Sequence, residues 1–186
     1  MAARRSPRRS TRLRVLASRV AFSGSGVGRV YETRLRFPSG VVHTWTYLVK
    51  RPFVMVLALQ GQRLVLVRQH RYPERRAWEV VKGGIERRES PLVAARRELQ
   101  EETGFTARRW KQLGRIVVAP GYFNQAGVVF LARGLVPGSA SPETNGEILQ
   151  VALVPAVSVR RMITRGDVHD STTLAGLLLA KKYFPL

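Results

Sequence analysis

Residues 28–49 alternate along the chain: Val30, Glu32, Arg34 and Arg36 interleave with Tyr31, Thr33, Leu35 and Phe37. A two-residue period marks a strand with two different faces. Pro38-Ser39-Gly40 supplies turn chemistry, so 28–49 predicts a β-hairpin. A second hairpin is predicted over "FVMVLALQ-GQ-RLVLVRQH", turning at Gly61-Gln62. Its first arm is continuously apolar, which predicts a central strand covered on both faces. "AWEVV" predicts a short strand, "WKQLGRIVVA" and "AGVVFLARGL" two longer ones with a Pro120-Gly121 loop between them, and "ILQVALV" the last. The intervening "PGSASPETNGE" is dense in turn formers and predicts a loop.

The period changes to that of a helix over 90–103. Ser90 is suited to the N-cap, Pro91 to the first turn and Gly104 to a left-handed stop. At about 100° per residue, Leu92, Ala95 and Leu99 share one stripe, and Glu98, Glu101 and Glu102 fill the adjoining sector. "AVSVRRMITRG" and "STTLAGLLLAKKYF" predict two closing helices, the second with Ser171 as N-cap. Strands, helix, strands, helices is the order of an α/β fold: an α/β/α sandwich around a mixed sheet, with the antiparallel hairpin at its N-terminal end.

Composition narrows the chemistry. At 186 residues the chain is long enough for one well-buried core. It has no cysteine, which excludes disulfides and thiolate metal sites. No apolar run approaches the ~18 residues of a membrane span. The formal charge is +20. Such a balance suits anionic partners, but it is equally the mark of solvated arginines. Residues 1–19 hold seven arginines and no acid. They are expected to form a basic tail whose first dozen residues are disordered, either a plain tail, an organellar transit peptide or an arm for nucleic acid. The domain reading is a tail over 1–19, a hairpin region over 20–50 and the main domain over 51–186. The location expected is cytoplasmic, or organellar if the tail is a transit peptide.

Against this basic background the three glutamates of 90–103 stand out. They are either a solvated acidic face balanced by Arg96 and Arg97, or a site for a hard cation. Mg²⁺ prefers carboxylate oxygens and substrate phosphates. The wider segment decides between these. "GGIERRESPLVAARRELQEETGF", residues 83–105, resembles a complete Nudix box, G-x5-E-x7-R-E-U-x-E-E-x-G-U with U bulky and apolar. Gly83, Glu89, Arg97, Glu98, Leu99, Glu101, Glu102, Gly104 and Phe105 fill every specified position. A chance match is on the order of 10⁻⁹ per window at average residue frequencies.

The resemblance implies a hydrolase acting on a nucleoside diphosphate linked to another group, with Mg²⁺ or Mn²⁺ as cofactor. It implies Glu98 and Glu102 as metal ligands, Glu101 as a ligand or water-positioning base, and the backbone carbonyl of Lys82 as a further ligand. Glu89 and Arg97 would hold the loop and helix in shape, and Gly83-Gly84 would turn the backbone. "VRQHRYPERRAWEVVKGGIE" is similar to the corresponding run of ADP-ribose pyrophosphatases and related nucleotide-sugar hydrolases. By that similarity Arg71 contacts the diphosphate, Glu79 lies near metal and phosphate, and Trp78 either stacks on the ligand or packs in the core. Pro120 fits the substrate loop of that subfamily. Glu147, with Glu143 in reserve, fits its mobile catalytic base. The subfamily also implies a homodimer formed through residues 28–49.

Val81-Lys82 departs from the subfamily's Pro-Ala and is closer to hydrolases of dinucleoside polyphosphates and diphosphoinositols. The expected reaction is hydrolysis of ADP-ribose or a related nucleotide sugar to a nucleoside monophosphate and a sugar phosphate. The alternatives are dinucleoside polyphosphates, capped RNA ends, or a Nudix-fold module that binds nucleic acid through its basic tail. His43, His169, Arg87 and Arg88 are read as surface, capping and loop residues.

Overall fold

The computed structural model describes residues 12–24, 28–73, 76–139 and 148–184. The chain divides into two units, one of residues 1–50 with 119–125 and one of 51–118 with 126–186.

The first unit is a four-stranded sheet in the order β1-β2-β3-β9, built from β1 (Arg14–Gly24), β2 (Gly28–Arg36), β3 (Val42–Val49) and β9 (Phe123–Asn124). β2 and β3 form the antiparallel hairpin that the alternation predicts. Tyr31 and Tyr47 face each other across it with stacked rings 5.7 Å apart. β9 runs parallel to β3, and Trp45 Nε1 donates to Gly121 O at 2.7 Å.

β1 corrects the sequence reading, which gives residues 14–19 to the tail. They form the first half of a strand paired antiparallel with β2. Its apolar and polar residues do not alternate regularly, so no two-residue period marks it, and β1 is exposed almost throughout. Its order comes instead from the backbone ladder and from polar cross-strand pairs: Arg19 with Glu32, and the Ser18 and Thr33 hydroxyls at 2.8 Å. The Arg-rich residues 1–11, expected to be disordered, lie outside the described residues.

The second unit holds a seven-stranded mixed sheet. Its path β11-β5-β4-β10-β8 comprises β4 (Phe53–Gln60), β5 (Arg63–His70), β8 (Phe105–Val117), β10 (Ala126–Pro137) and β11 (Ile148–Pro155). β6 (Arg76–Glu79) pairs with β5, and β7 (Val81–Gly84) pairs with β4. Only β4 and β10 are parallel among these pairs. The helices are α1 (Pro91–Thr103), α2 (Ala156–Arg165) and α3 (Ser171–Leu179).

β4 explains the layering. Phe53, Met55, Leu57 and Leu59 point into a core shared with Val159 and Leu177 of α2 and α3. Val54, Val56 and Ala58 point into the opposite core with Ala94, Ala95 and Leu99 of α1. The continuous apolar run therefore serves two helical layers, as expected. Each fully buried Val or Leu stabilises by about 1.5–3 kcal/mol. Among the described residues, no helix is long and apolar enough to cross a membrane.

α1 starts and stops as its sequence predicts. Ser90 Oγ accepts from Val93 N at 3.4 Å, and Gly104, with φ 72°, donates from its backbone N to Gln100 O. At α3 the expected cap moves by one residue. Ser171 is the first helical residue, and Asp170 is the N-cap, accepting from Thr173 N at 2.7 Å. A carboxylate reaches the free N–H groups as well as a hydroxyl does, and its charge also suits the positive end of the helix.

Candidate active site

The box is folded around Arg97. Its Nε and Nη2 donate to the two oxygens of Glu89 at 3.0 and 3.1 Å, and Nη2 also donates to Gly84 O at 2.9 Å. Glu89 further accepts from Glu86 N at 2.9 Å. One guanidinium thus ties the loop before α1 to the end of β7 and to the helix itself. The same fork reaches the acids: Nη1 donates to Glu98 Oε1 at 2.8 Å and to Glu101 Oε2 at 2.9 Å. Its hydrogen bonds to Glu89, above all, push the Arg97 pKa up, and Arg97 in return holds the Glu89 carboxyl below its usual range. Each partner thus favours the charged form of the other.

Gly83 and Gly84 do not turn the chain, contrary to the sequence reading. Both lie in β7 without positive φ. Gly83 is needed for space: a Cβ there would sit 1.8 Å from Glu98 Cδ and about 2 Å from both carboxylate oxygens (2.0 and 2.1 Å). The Glu98 carboxylate occupies the place where any other residue would put its side chain. At Gly84 an added Cβ would meet nothing within 4 Å.

β7 alternates between the layers. Val81 and Gly83 face α1, whereas Lys82 faces the other way. Lys82 Nζ lies 2.6 Å from Asp170 Oδ2, 2.7 Å from Glu79 Oε2 and 3.0 Å from Thr172 Oγ1. Glu79, only 3% exposed, also accepts from Nε and Nη2 of Arg71, both at 3.1 Å. Burial raises the Asp170 pKa, but the charge of Lys82 and hydrogen bonds from Lys82, Thr173 and Thr172 outweigh it. The carboxyl is held well below the ordinary range.

Of the residues singled out from the sequence, Glu98, Glu101 and Glu102 lie on α1 with Arg97, which reaches Glu89 in the preceding loop, and Glu98 packs on Gly83 of β7. Arg71, Glu79 and Lys82 form a second connected group. Trp78 packs against the core on the α2–α3 side, the packing alternative given for it. Pro120 belongs to the first unit. Glu143 and Glu147 lie outside the described residues. The sequence reading missed the bond from Lys82 to Asp170, since nothing local signals a pairing across 88 positions. It also missed Gln69, whose side chain is buried and whose Nε2 has no hydrogen-bond partner among the described residues.

Among the described residues no three His, Cys, Asp or Glu side chains are already drawn together as a metal cage. The donors that α1 offers are all carboxylate oxygens, and the space left by Gly83 brings Glu98 against the strand bearing the Lys82 carbonyl. A set of hard oxygen donors fits Mg²⁺ or Mn²⁺ and not a thiophilic metal.

Comparison with known proteins agrees with this geometry. The NUDIX domain family matches residues 49–175. The chain is 30% identical over 164 residues to the ADP-ribose pyrophosphatase of Bacillus subtilis (strain 168), covering 86% of this chain and 88% of that protein. It is 30% identical over 150 residues to the ADP-ribose pyrophosphatase of Mycobacterium tuberculosis (strain ATCC 25618 / H37Rv), covering 78% and 72%. A solved structure described as an ADP compounds hydrolase superposes with a TM-score of 0.82 at 25% identity, covering 92% of this chain and 93% of that one. The chain belongs to the Nudix hydrolase family and is most similar to its ADP-ribose pyrophosphatase branch.

Proposed function

We propose that the protein hydrolyses the diphosphate bond of ADP-ribose or a related nucleotide sugar, with Mg²⁺ or Mn²⁺, giving a nucleoside monophosphate and a sugar phosphate. The observation that carries this reading is the packing of the Glu98 carboxylate on Gly83 beside Glu101, with one arginine bridging the two acids. Likeness to ADP-ribose pyrophosphatases over most of the chain supports the substrate class.

In this reading Glu98 and Glu102 hold the cation, with the Lys82 carbonyl. A divalent ion at such a site neutralises diphosphate charge and makes a bound water more acidic. Arg71, fixed by Glu79, lies against the non-bridging phosphate oxygens. A carboxylate, Glu101 or Glu147, takes the proton of the attacking water. The water oxygen bonds to one phosphorus, the bridging P–O bond breaks, and the second phosphate leaves with that bridging oxygen. The bonds of the Lys82 ammonium to Glu79 and Asp170 support a role in shaping the site over direct contact with a polyphosphate.

The four-stranded sheet is the proposed homodimer surface. It exposes Val15, Val20, Phe22, Val42 and Trp45, and sedimentation at a dimer's mass is expected. The activity is tested by incubating the protein with ADP-ribose, sugar nucleotides, dinucleoside polyphosphates and a capped oligonucleotide. Preferred turnover of ADP-ribose or a sugar nucleotide is expected. Turnover of polyphosphates or capped RNA alone would overturn the substrate class.

A further inference from the structure

Four charges of alternating sign run through the second unit: Arg71, Glu79, Lys82 and Asp170. Asp170 is their far end and does two jobs there. It caps α3, accepting from Thr173 N at 2.7 Å and from the Thr172 hydroxyl at 2.7 Å. It also takes up the charge of Lys82 at 2.6 Å. The first job needs only an acceptor, which asparagine supplies as well as aspartate. The second needs a negative charge.

The Lys82 side chain is only 12% exposed, so its ammonium depends on these carboxylates. Remove the charge at 170 and Glu79 is the carboxylate left to it. But Glu79 is the residue that grips Arg71 through both oxygens, at 3.1 Å each, and its Oε2 already serves both cations. A stronger pull from Lys82 therefore loosens Arg71. We propose that Asp170 is a positioning residue for the diphosphate-binding arginine, acting through Lys82 and Glu79. The inference rests on the role given to Arg71 above. It also explains why this chain carries lysine before the box glycine: the side chain links the box strand to the start of α3.

The test uses inorganic pyrophosphate, the group common to every candidate substrate, titrated calorimetrically with Mg²⁺ into the full-length protein. Four forms are compared: wild type, Asp170→Asn, Arg71→Ala and the double variant. Asp170→Asn should weaken pyrophosphate binding by about 10-fold, the size of one impaired charge-assisted contact. In the Arg71→Ala background the same change should have no further effect, because residues acting in one chain are not additive. Far-UV circular dichroism of Asp170→Asn should match wild type, since the cap is kept, while its melting temperature falls with the loss of the Lys82 charge contact. Unchanged affinity in Asp170→Asn, or an equal loss with and without Arg71, would overturn the proposal, as would a wild type that does not bind pyrophosphate. Turnover of ADP-ribose by the wild type is scored separately. Its absence would sink the substrate reading while the pyrophosphate cycle still decides the role of Asp170.

Discussion

Two cations flank the box strand, and each is surrounded by acids. Arg97, on the α1 side, bonds to Glu89, Glu98, Glu101 and the Gly84 carbonyl. Lys82, on the α3 side, bonds to Glu79, Asp170 and Thr172. The first network holds together residues close in sequence, and its planar five-donor fork serves several acceptors at once. The second joins residues far apart in sequence through a single compact ammonium. The first shapes the acidic site itself. The second sets what stands opposite it. Lys82 of one network and Gly84 of the other adjoin Gly83, whose missing side chain lets this strand seat a carboxylate.

The largest expected effect breaks the α1 side by its spacing alone. Gly83→Ala places a methyl group on the Glu98 carboxylate. That carboxylate is the far end of a flexible side chain, so it swings away while the strand stays. Activity should fall roughly 100-fold, the scale of a displaced ligand shell, while the melting temperature moves little. Equal losses of activity and stability would show instead that the strand had shifted.

Arg97→Met should act in the other order, on the fold first. Three carboxylates lose a shared partner, and urea denaturation should show a loss of about 2–3 kcal/mol. An effect under about 0.5 kcal/mol, the size of an ordinary surface substitution, would remove Arg97 as the organiser of the box.

The smallest effect lies on the Lys82 side and depends on pH. The Asp170 pKa is lowered in the folded chain. Its ionisation therefore stabilises the fold above the unfolded carboxyl's value, about 3.9, and this contribution fades as pH falls towards the lower native value. The stability gap between wild type and Asp170→Asn should be constant above about pH 4 and close below it. A gap that widens in acid would reverse the assigned shift.

The α1 network was legible in two ways: helical spacing put Glu98, Glu101 and Glu102 in one sector, and the resemblance of 83–105 to the Nudix box implied that Glu89 and Arg97 hold loop and helix together. Ser90, Pro91 and Gly104 marked its ends for local reasons. The unbroken apolar run of β4 likewise foretold two covering layers. The Lys82 network was not legible: the cap of α3 was read at Ser171, one residue late, and the bond from Lys82 to Asp170 depends on how β7 and α3 pack. The purpose of Gly83 was misread for the same reason, since no turn requires it and only the place of Glu98 does. β1 was hidden by the Arg-rich stretch it begins in, and the acid that pairs with Arg19, Glu32, lies across the sheet. Local chemistry is written in spacing, whereas pairing across layers is decided by the fold.

The most direct measurement is ³¹P NMR of ADP-ribose incubated with Mg²⁺ and either wild type or Glu98→Gln. The account predicts that wild type replaces the diphosphate signals with two monophosphate signals, those of AMP and ribose 5-phosphate, while Glu98→Gln leaves the diphosphate essentially intact. Diphosphate signals that persist with wild type, or vanish equally fast with Glu98→Gln, would contradict it.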